Sequence, residues 1–118
     1  MKSVYYKNCY HRDSAESPRY QVRVKALGEQ RVFEKDGFKI VAYYDSKQKM
    51  FTEESTGKII SVRKGKNKAE AIMFVEAMFD VIKNQLITTY QNYNVMDLPE
   101  LESKEVNCVV WYEIRNWI

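Results

Sequence analysis

Histidine occurs once in this sequence and cysteine twice, so the side chains that most often carry acid–base, nucleophilic or metal chemistry are scarce. His11-Arg12-Asp13 echoes the kinase catalytic triplet, but no Gly-rich loop or Asp-Phe-Gly accompanies it, and the match is coincidental. A structural zinc site needs four ligands at paired spacings, which Cys9, His11 and the distant Cys108 do not supply. A cysteine nucleophile would need His11 ordered beside it, and His11 opens a polar loop. Asp97, Glu100, Glu102 and Glu105 form an acidic strip rather than a spaced acid–base pair. These shortages predict no catalytic residue, no metal and no cofactor. An enzyme is the least expected class.

Long apolar runs are missing too. No stretch approaches the ~18 residues of a membrane span, and MKSVYYKNCYHRDS lacks the apolar core and cleavage site of a signal peptide. With two cysteines and no export signal, reduced thiols in a cytoplasm are the expectation. A Cys9–Cys108 bridge is the alternative if the first and last strands pair. No internal repeat or long linker divides the 118 residues, so a single domain, 1–118, is expected.

What the chain does have is one convincing helical period. Ala71, Val75, Met78, Ile82, Leu86, Thr89 and Tyr93 recur every three or four residues, flanked by Phe74, Phe79, Val81 and Tyr90. Glu76, Asp80, Lys83, Asn84 and Gln91 make the opposite, solvated face. Asn67 is a good N-cap, with Glu70 placed to close a capping box. The spacing predicts one helix from Asn67 to Tyr93, roughly 39 Å long, about twice a strand of roughly 20 Å. One end should overhang the sheet. Met73 and Ile87 fall on its polar side, either as scattered exposed residues or as a contact for a partner. The wide stripe also leaves room for a homodimer.

Strand signals surround that helix. Ser3 to Tyr10 is rich in strand formers, and His11 to Pro18 is a polar loop. Tyr20 to Leu27 alternates, with Tyr20, Val22, Val24 and Ala26 on one face and Gln21, Arg23 and Lys25 on the other, until Gly28 breaks it. Gln30 to Lys35, the hairpin turn Asp36-Gly37 and Phe38 to Tyr44 follow. Lys49 to Thr52 and Lys58 to Arg63 are further strands, separated by a turn at Glu54 to Gly57. Beyond the helix, Val95 to Glu105 is an acidic connection with a helical turn expected after Pro99, and Val106 to Ile118 is a last strand beside an early one.

This order predicts an α+β fold: a mostly antiparallel, twisted sheet of five to seven short strands with one long amphipathic helix on one face. One helix covers one sheet face only. If Tyr5, Tyr43 and Trp111 share the other face, they lie among Arg23, Lys25 and Lys39. Stacking rings among cations bind single-stranded nucleic acid, and the same composition suits a protein interface. Alternatively the sheet curls and buries the rings itself.

Charge is unevenly spread behind a net +3. Residues 1–68 hold 16 Lys/Arg against 8 Asp/Glu, and residues 69–118 hold 3 against 8. Arg63, Lys64, Lys66 and Lys68, with Gly65, immediately precede or open the helix, where free N–H groups and the dipole attract anions. The spacing is not that of a phosphate-binding P-loop, and a solvated basic turn is the plain alternative.

The run from Tyr43 through Glu76 resembles the small arm-binding domains of tyrosine-type phage integrases. Those open a helix with a Gly-x-x-Thr-Lys-x-Glu-Ala-like turn and bind DNA through a three-stranded sheet. Gly65, Lys66, Asn67, Lys68, Ala69, Glu70 and Ala71 carry the likeness here. The Gly-Phe pair and Thr cap of those domains are missing, extra strands precede the match, and no recombinase domain follows within these 118 residues. The likeness belongs to one segment and is not family membership. Taken together, the sequence points to a small cytoplasmic binding protein. It would be an accessory or inhibitory protein of a phage or mobile element, acting by protein contact on nucleic-acid machinery. Direct nucleic-acid binding by the basic strand region and helix N-terminus is the second reading.

Overall fold

β2, Tyr20–Lys35, is the strand on which the sheet is built. The computed structural model describes residues 1–61 and 67–105. β1, Lys2–His11, runs antiparallel along the first part of β2, in a register pairing Lys2 with Glu29 and His11 with Tyr20. β3, Phe38–Asp45, takes up the second part, from Glu29–Tyr44 to Lys35–Phe38. β4, Met50–Glu53, lies outside β3, and the two-residue β5, Glu100–Leu101, runs parallel to β2 at Arg23 and Val24. Among the described residues the sheet has five strands, in the order β1-β2-β3-β4 with β5 off that path on β2.

Gly28 does not break β2, contrary to the sequence expectation; it bends it. A Cβ there would stand 2.6 Å from the Tyr44 carbonyl oxygen and 2.9 Å from the Tyr5 ring. The missing side chain lets β1 and β3 lean over β2, so two predicted strands are one of 16 residues. Asp36 and Gly37, at φ 51° and 82°, make the left-handed hairpin turn their types favour. Lys58 to Arg63 was expected as a full strand. The described part gives one bridge, Ile59 to Thr52, with the Ile60 amide donating to the Phe51 carbonyl at 3.0 Å.

The single long helix is replaced by two short ones. α1 spans Lys68–Ala77 and α2 spans Phe79–Ile87, meeting at Met78 with φ −97° and ψ 11°. Main-chain bonds cross the joint, from Met78 to the Phe74 carbonyl and from Ile82 to the Met78 carbonyl. Phe79, rather than Met78, enters the core beside Phe38, with the rings edge-on at 6.3 Å. The buried row is therefore Ala71, Val75, Phe79 and Ile82. Helix geometry ends at Thr88, whose hydroxyl donates to the Asn84 carbonyl at 2.6 Å, so Thr89 and Tyr93 lie beyond it. Neither helix approaches the predicted length, and no described helix is long and apolar enough to cross a membrane.

The helices cover Phe33, Ile40, Ala42, Tyr44, Phe51 and Ile60 on one sheet face. Cys9, Val22 and Val24 form a second buried group, packed by Leu101. Beyond α2 the chain makes 3₁₀ turns at Val95–Asp97 and Ser103–Glu105, one before Pro99 and one after it. The predicted strand Val106 to Ile118, with Cys108 and Trp111, lies outside the described residues.

Candidate functional site

Curling of the sheet decides which predicted site residues are available. Tyr5 and Tyr43 do come together, stacked nearly parallel at 5.0 Å, but only 4% and 5% of their surface is exposed. The Tyr43 hydroxyl donates to Glu54 at 2.6 Å and accepts from Gln30 at 3.0 Å. Burial, first, and then the Glu54 carboxylate push the Tyr43 phenol above its ordinary range. The open stacking face is absent among the described residues because these rings bury each other. Trp111 lies outside the described residues.

Arg23 is likewise committed within the fold. Its guanidinium donates to the Met96 and Leu98 carbonyls, both at 2.6 Å, and to Glu100 at 3.2 Å. The same group sits 5.2 Å from the centre of the Tyr6 ring. It clasps the segment leading to β5 and offers little to a phosphate. Lys25 remains exposed on β2, opposite Tyr6.

Lys68 is the first residue of α1, beside the Asn67 cap, whose side chain accepts the Glu70 amide at 2.8 Å. Its ammonium pairs with Glu29 and lies 5.7 Å from the Tyr44 ring centre. The hydrogen bond and charge of Lys68 hold the Glu29 carboxyl below its usual range. Arg63, Lys64 and Lys66 are outside the described residues. Met73 on α1 and Ile87 on α2 are exposed, at 68% and 49%.

Lys68 also borders a cleft that sequence reasoning missed. Lys2, Lys7, Leu27, Glu29, Tyr44, Asp45, Ser46, Lys47 and Lys68 enclose about 380 Å³. Register builds it: Lys2 faces Glu29 across β1 and β2, while the β3–β4 turn brings Asp45 and Lys47. Lys7 reaches Asp45 at 2.7 Å in a largely covered ion pair. Burial would raise the Asp45 carboxyl, but Lys7 and the Gln48 and Lys47 amides outweigh it and lower it. Lys2 and Lys47 are exposed and make no ion pair among the described residues. Four ammonium groups thus face two carboxylates.

Leu27 forms the apolar wall of this cleft, and its cross-strand partner is Val4. They are exposed at 62% and 47%, side by side on the ribbon that the helices leave uncovered. One signal for this pair was present in the sequence. Leu27 continues the Gln21, Arg23 and Lys25 alternation, so an apolar residue occupied the polar face.

The opposite end of β1 holds a polar group of another kind. Asn8 is fully buried and donates to Gln21, to the Thr56 carbonyl and to the Tyr93 hydroxyl. Nearby Lys58 is buried against Tyr90 and Tyr93, its ammonium 4.1 Å and 5.1 Å from the ring centres. Burial pushes that lysine down to about 8. Glu53, also buried, accepts from the Ser55 amide at 2.8 Å and the Thr56 amide at 2.9 Å, and from both hydroxyls at 2.8 Å. Asn8 and Glu53 hold the turn that closes the sheet through these hydrogen bonds. Comparison with protein-family models, curated proteins and solved structures finds no match for the chain.

Proposed function

We propose that this chain is a small binding module that works by protein–protein contact through the uncovered β1–β2 ribbon. One observation carries the reading: Val4 and Leu27, paired across the ribbon, are exposed together beside a lysine-lined cleft. Scattered apolar residues are normal on a surface, but two that lie together across a ribbon, with a polar rim around them, form the kind of contiguous patch an interface is built on. The finer reading is a cytoplasmic accessory or inhibitory protein of a phage or mobile element, acting on nucleic-acid machinery. Its support is the charge division along the chain and the likeness of Tyr43 to Glu76 to integrase arm-binding domains.

Direct nucleic-acid binding is the weaker reading, because Tyr5 and Tyr43 are buried and Arg23 is engaged within the fold. A photo-cross-linking residue at Leu27, with Glu34 as the exposed control position, tests the choice in extract of the source cells. A discrete protein adduct at position 27 and none at 34 supports protein contact. Adducts to nucleic acid alone, or equal labelling at both positions, overturns it.

A further inference from the structure

We infer that the cleft beside Leu27 receives an acidic peptide segment of a partner protein, with an apolar side chain laid against Leu27 and Val4. This rests on the protein-contact reading above and names the chemistry of the partner. Charge complementarity is the first argument. Lys2, Lys7, Lys47 and Lys68 outnumber Glu29 and Asp45 around the cleft, leaving an excess of two positive charges. Lys2 and Lys47 are exposed and make no ion pair among the described residues, although, after Lys68, the charge of Lys2 helps to hold the Glu29 carboxyl down.

Lys68 is the adjustable third cation. Its pair with Glu29 leaves the two side chains 42% and 47% exposed, and ion pairs this open to water contribute little to stability. An incoming carboxylate can therefore share the Lys68 ammonium at little cost. The more enclosed Lys7–Asp45 pair, 15% and 16% exposed, stays fixed and shapes the floor.

The same geometry disfavours a phosphate chain. Glu29 lies in the cleft wall, and a phosphodiester chain, with a fixed negative charge on every phosphate, would bring charge against it with no neutral residue between. Tyr44, the one aromatic residue lining the cleft among the described residues, is buried and presents no ring for a base to stack upon. Separate single charges on a peptide can reach Lys2 and Lys47 while an intervening apolar side chain covers Leu27. That alternation is the pattern the wall and rim accept.

Fluorescence anisotropy of purified protein tests this with four labelled probes. They are a peptide of alternating glutamate and leucine, its lysine–leucine counterpart, a glutamate-only peptide, and oligo-dT of similar length. The glutamate–leucine peptide should bind best and weaken with salt. Lys2→Glu with Lys47→Glu should weaken it about tenfold or more. Leu27→Ser should weaken the glutamate–leucine peptide and leave the glutamate-only peptide unchanged. All three positions are exposed, and circular dichroism and a melting curve confirm that each variant folds.

Equal binding of the lysine counterpart, or no effect of these substitutions, overturns the inference. Tighter binding of oligo-dT, lost in the same variants, overturns both the inference and the protein-contact reading. A protein adduct at Leu27 without acidic-peptide binding overturns the inference alone. Absence of both removes the two together.

Discussion

The Gly57 carbonyl accepts a hydrogen bond from the Asn8 amide at 2.8 Å, joining the turn after β4 to the first strand. The contact closes the curled sheet. Ser55 is held on the other side, its carbonyl accepting from the Val95 amide at 2.8 Å. Glu53 organises the turn from within through the Ser55 and Thr56 amides and hydroxyls.

Gly57→Ala should be severely destabilising. The residue has φ +69°, and a Cβ would stand 2.8 Å from Val95 Cγ2, 2.9 Å from the Asn8 amide nitrogen and 3.0 Å from the Tyr6 carbonyl oxygen. Left-handed strain alone costs about 1–2 kcal/mol, and overpacking typically adds about 1–3 kcal/mol. Gly37→Ala separates the two effects, since Gly37 has φ +82° with nothing within 4 Å of a Cβ. Urea denaturation should show a loss at Gly57 at least about twice that at Gly37. Equal losses would mean that closure against Asn8 and Val95 contributes nothing.

Arg23→Ala should release the segment before β5 without unfolding the helices. Three acceptors, the Met96 and Leu98 carbonyls and Glu100, lose their donor together. Hydrogen bonds to a charged group contribute about 1.5–3 kcal/mol, so local opening should rise by one to two orders of magnitude. Hydrogen exchange of residues 94–101 measures it. Unchanged protection there, or an equal loss in α1, would contradict this role.

The elements that sequence made legible are those whose instruction is local. Asp36-Gly37 makes its turn because both types tolerate left-handed backbone, and Asn67 caps a helix because its side chain reaches the Glu70 amide. Helix length was misread because periodicity cannot choose between Met78 and Phe79 as the buried residue. In the fold Phe79 is the buried one, edge-on to Phe38, while Met78 packs part-buried at the joint. Gly28 was misread for a related reason. A glycine in a strand marks either a break or a close approach, and only the Tyr5 ring and Tyr44 carbonyl distinguish them. The cleft depends on register, since Lys2, Glu29 and Lys47 are far apart in sequence, and no local pattern could assemble them.

Cys9 should be chemically silent in the folded protein. It is 1% exposed, and burial pushes its thiol up to about 11, so little thiolate exists at neutral pH. In a Cys108→Ser background, a disulfide reagent such as Ellman's should label it slowly under native conditions and rapidly in denaturant. Fast native labelling at neutral pH would show that the Cys9, Val22 and Val24 group opens readily.

Lys58 predicts a particular pH dependence of stability. Its ammonium is buried against Tyr90 and Tyr93, and burial lowers its titration from the usual 10.5 to about 8. Between those values the unfolded chain holds a proton that the folded chain has released. The unfolded state then binds more protons, so raising the pH stabilises the fold. Tyr90 and Tyr93 act in the opposite sense, because burial raises their phenols and unfolded tyrosine ionises near about 10. The window in which Lys58 dominates therefore runs from about 8 to roughly 9.5, just below the range in which unfolded tyrosine ionises. Thermal or urea unfolding should show the stability of the natural chain, relative to a Lys58→Met variant, increasing across it. Below pH 7 the difference should be flat, since both states then hold the proton. A difference that stays flat or falls between 8 and 9.5 would mean that the lysine keeps its proton, with the tyrosine faces compensating the charge within the fold.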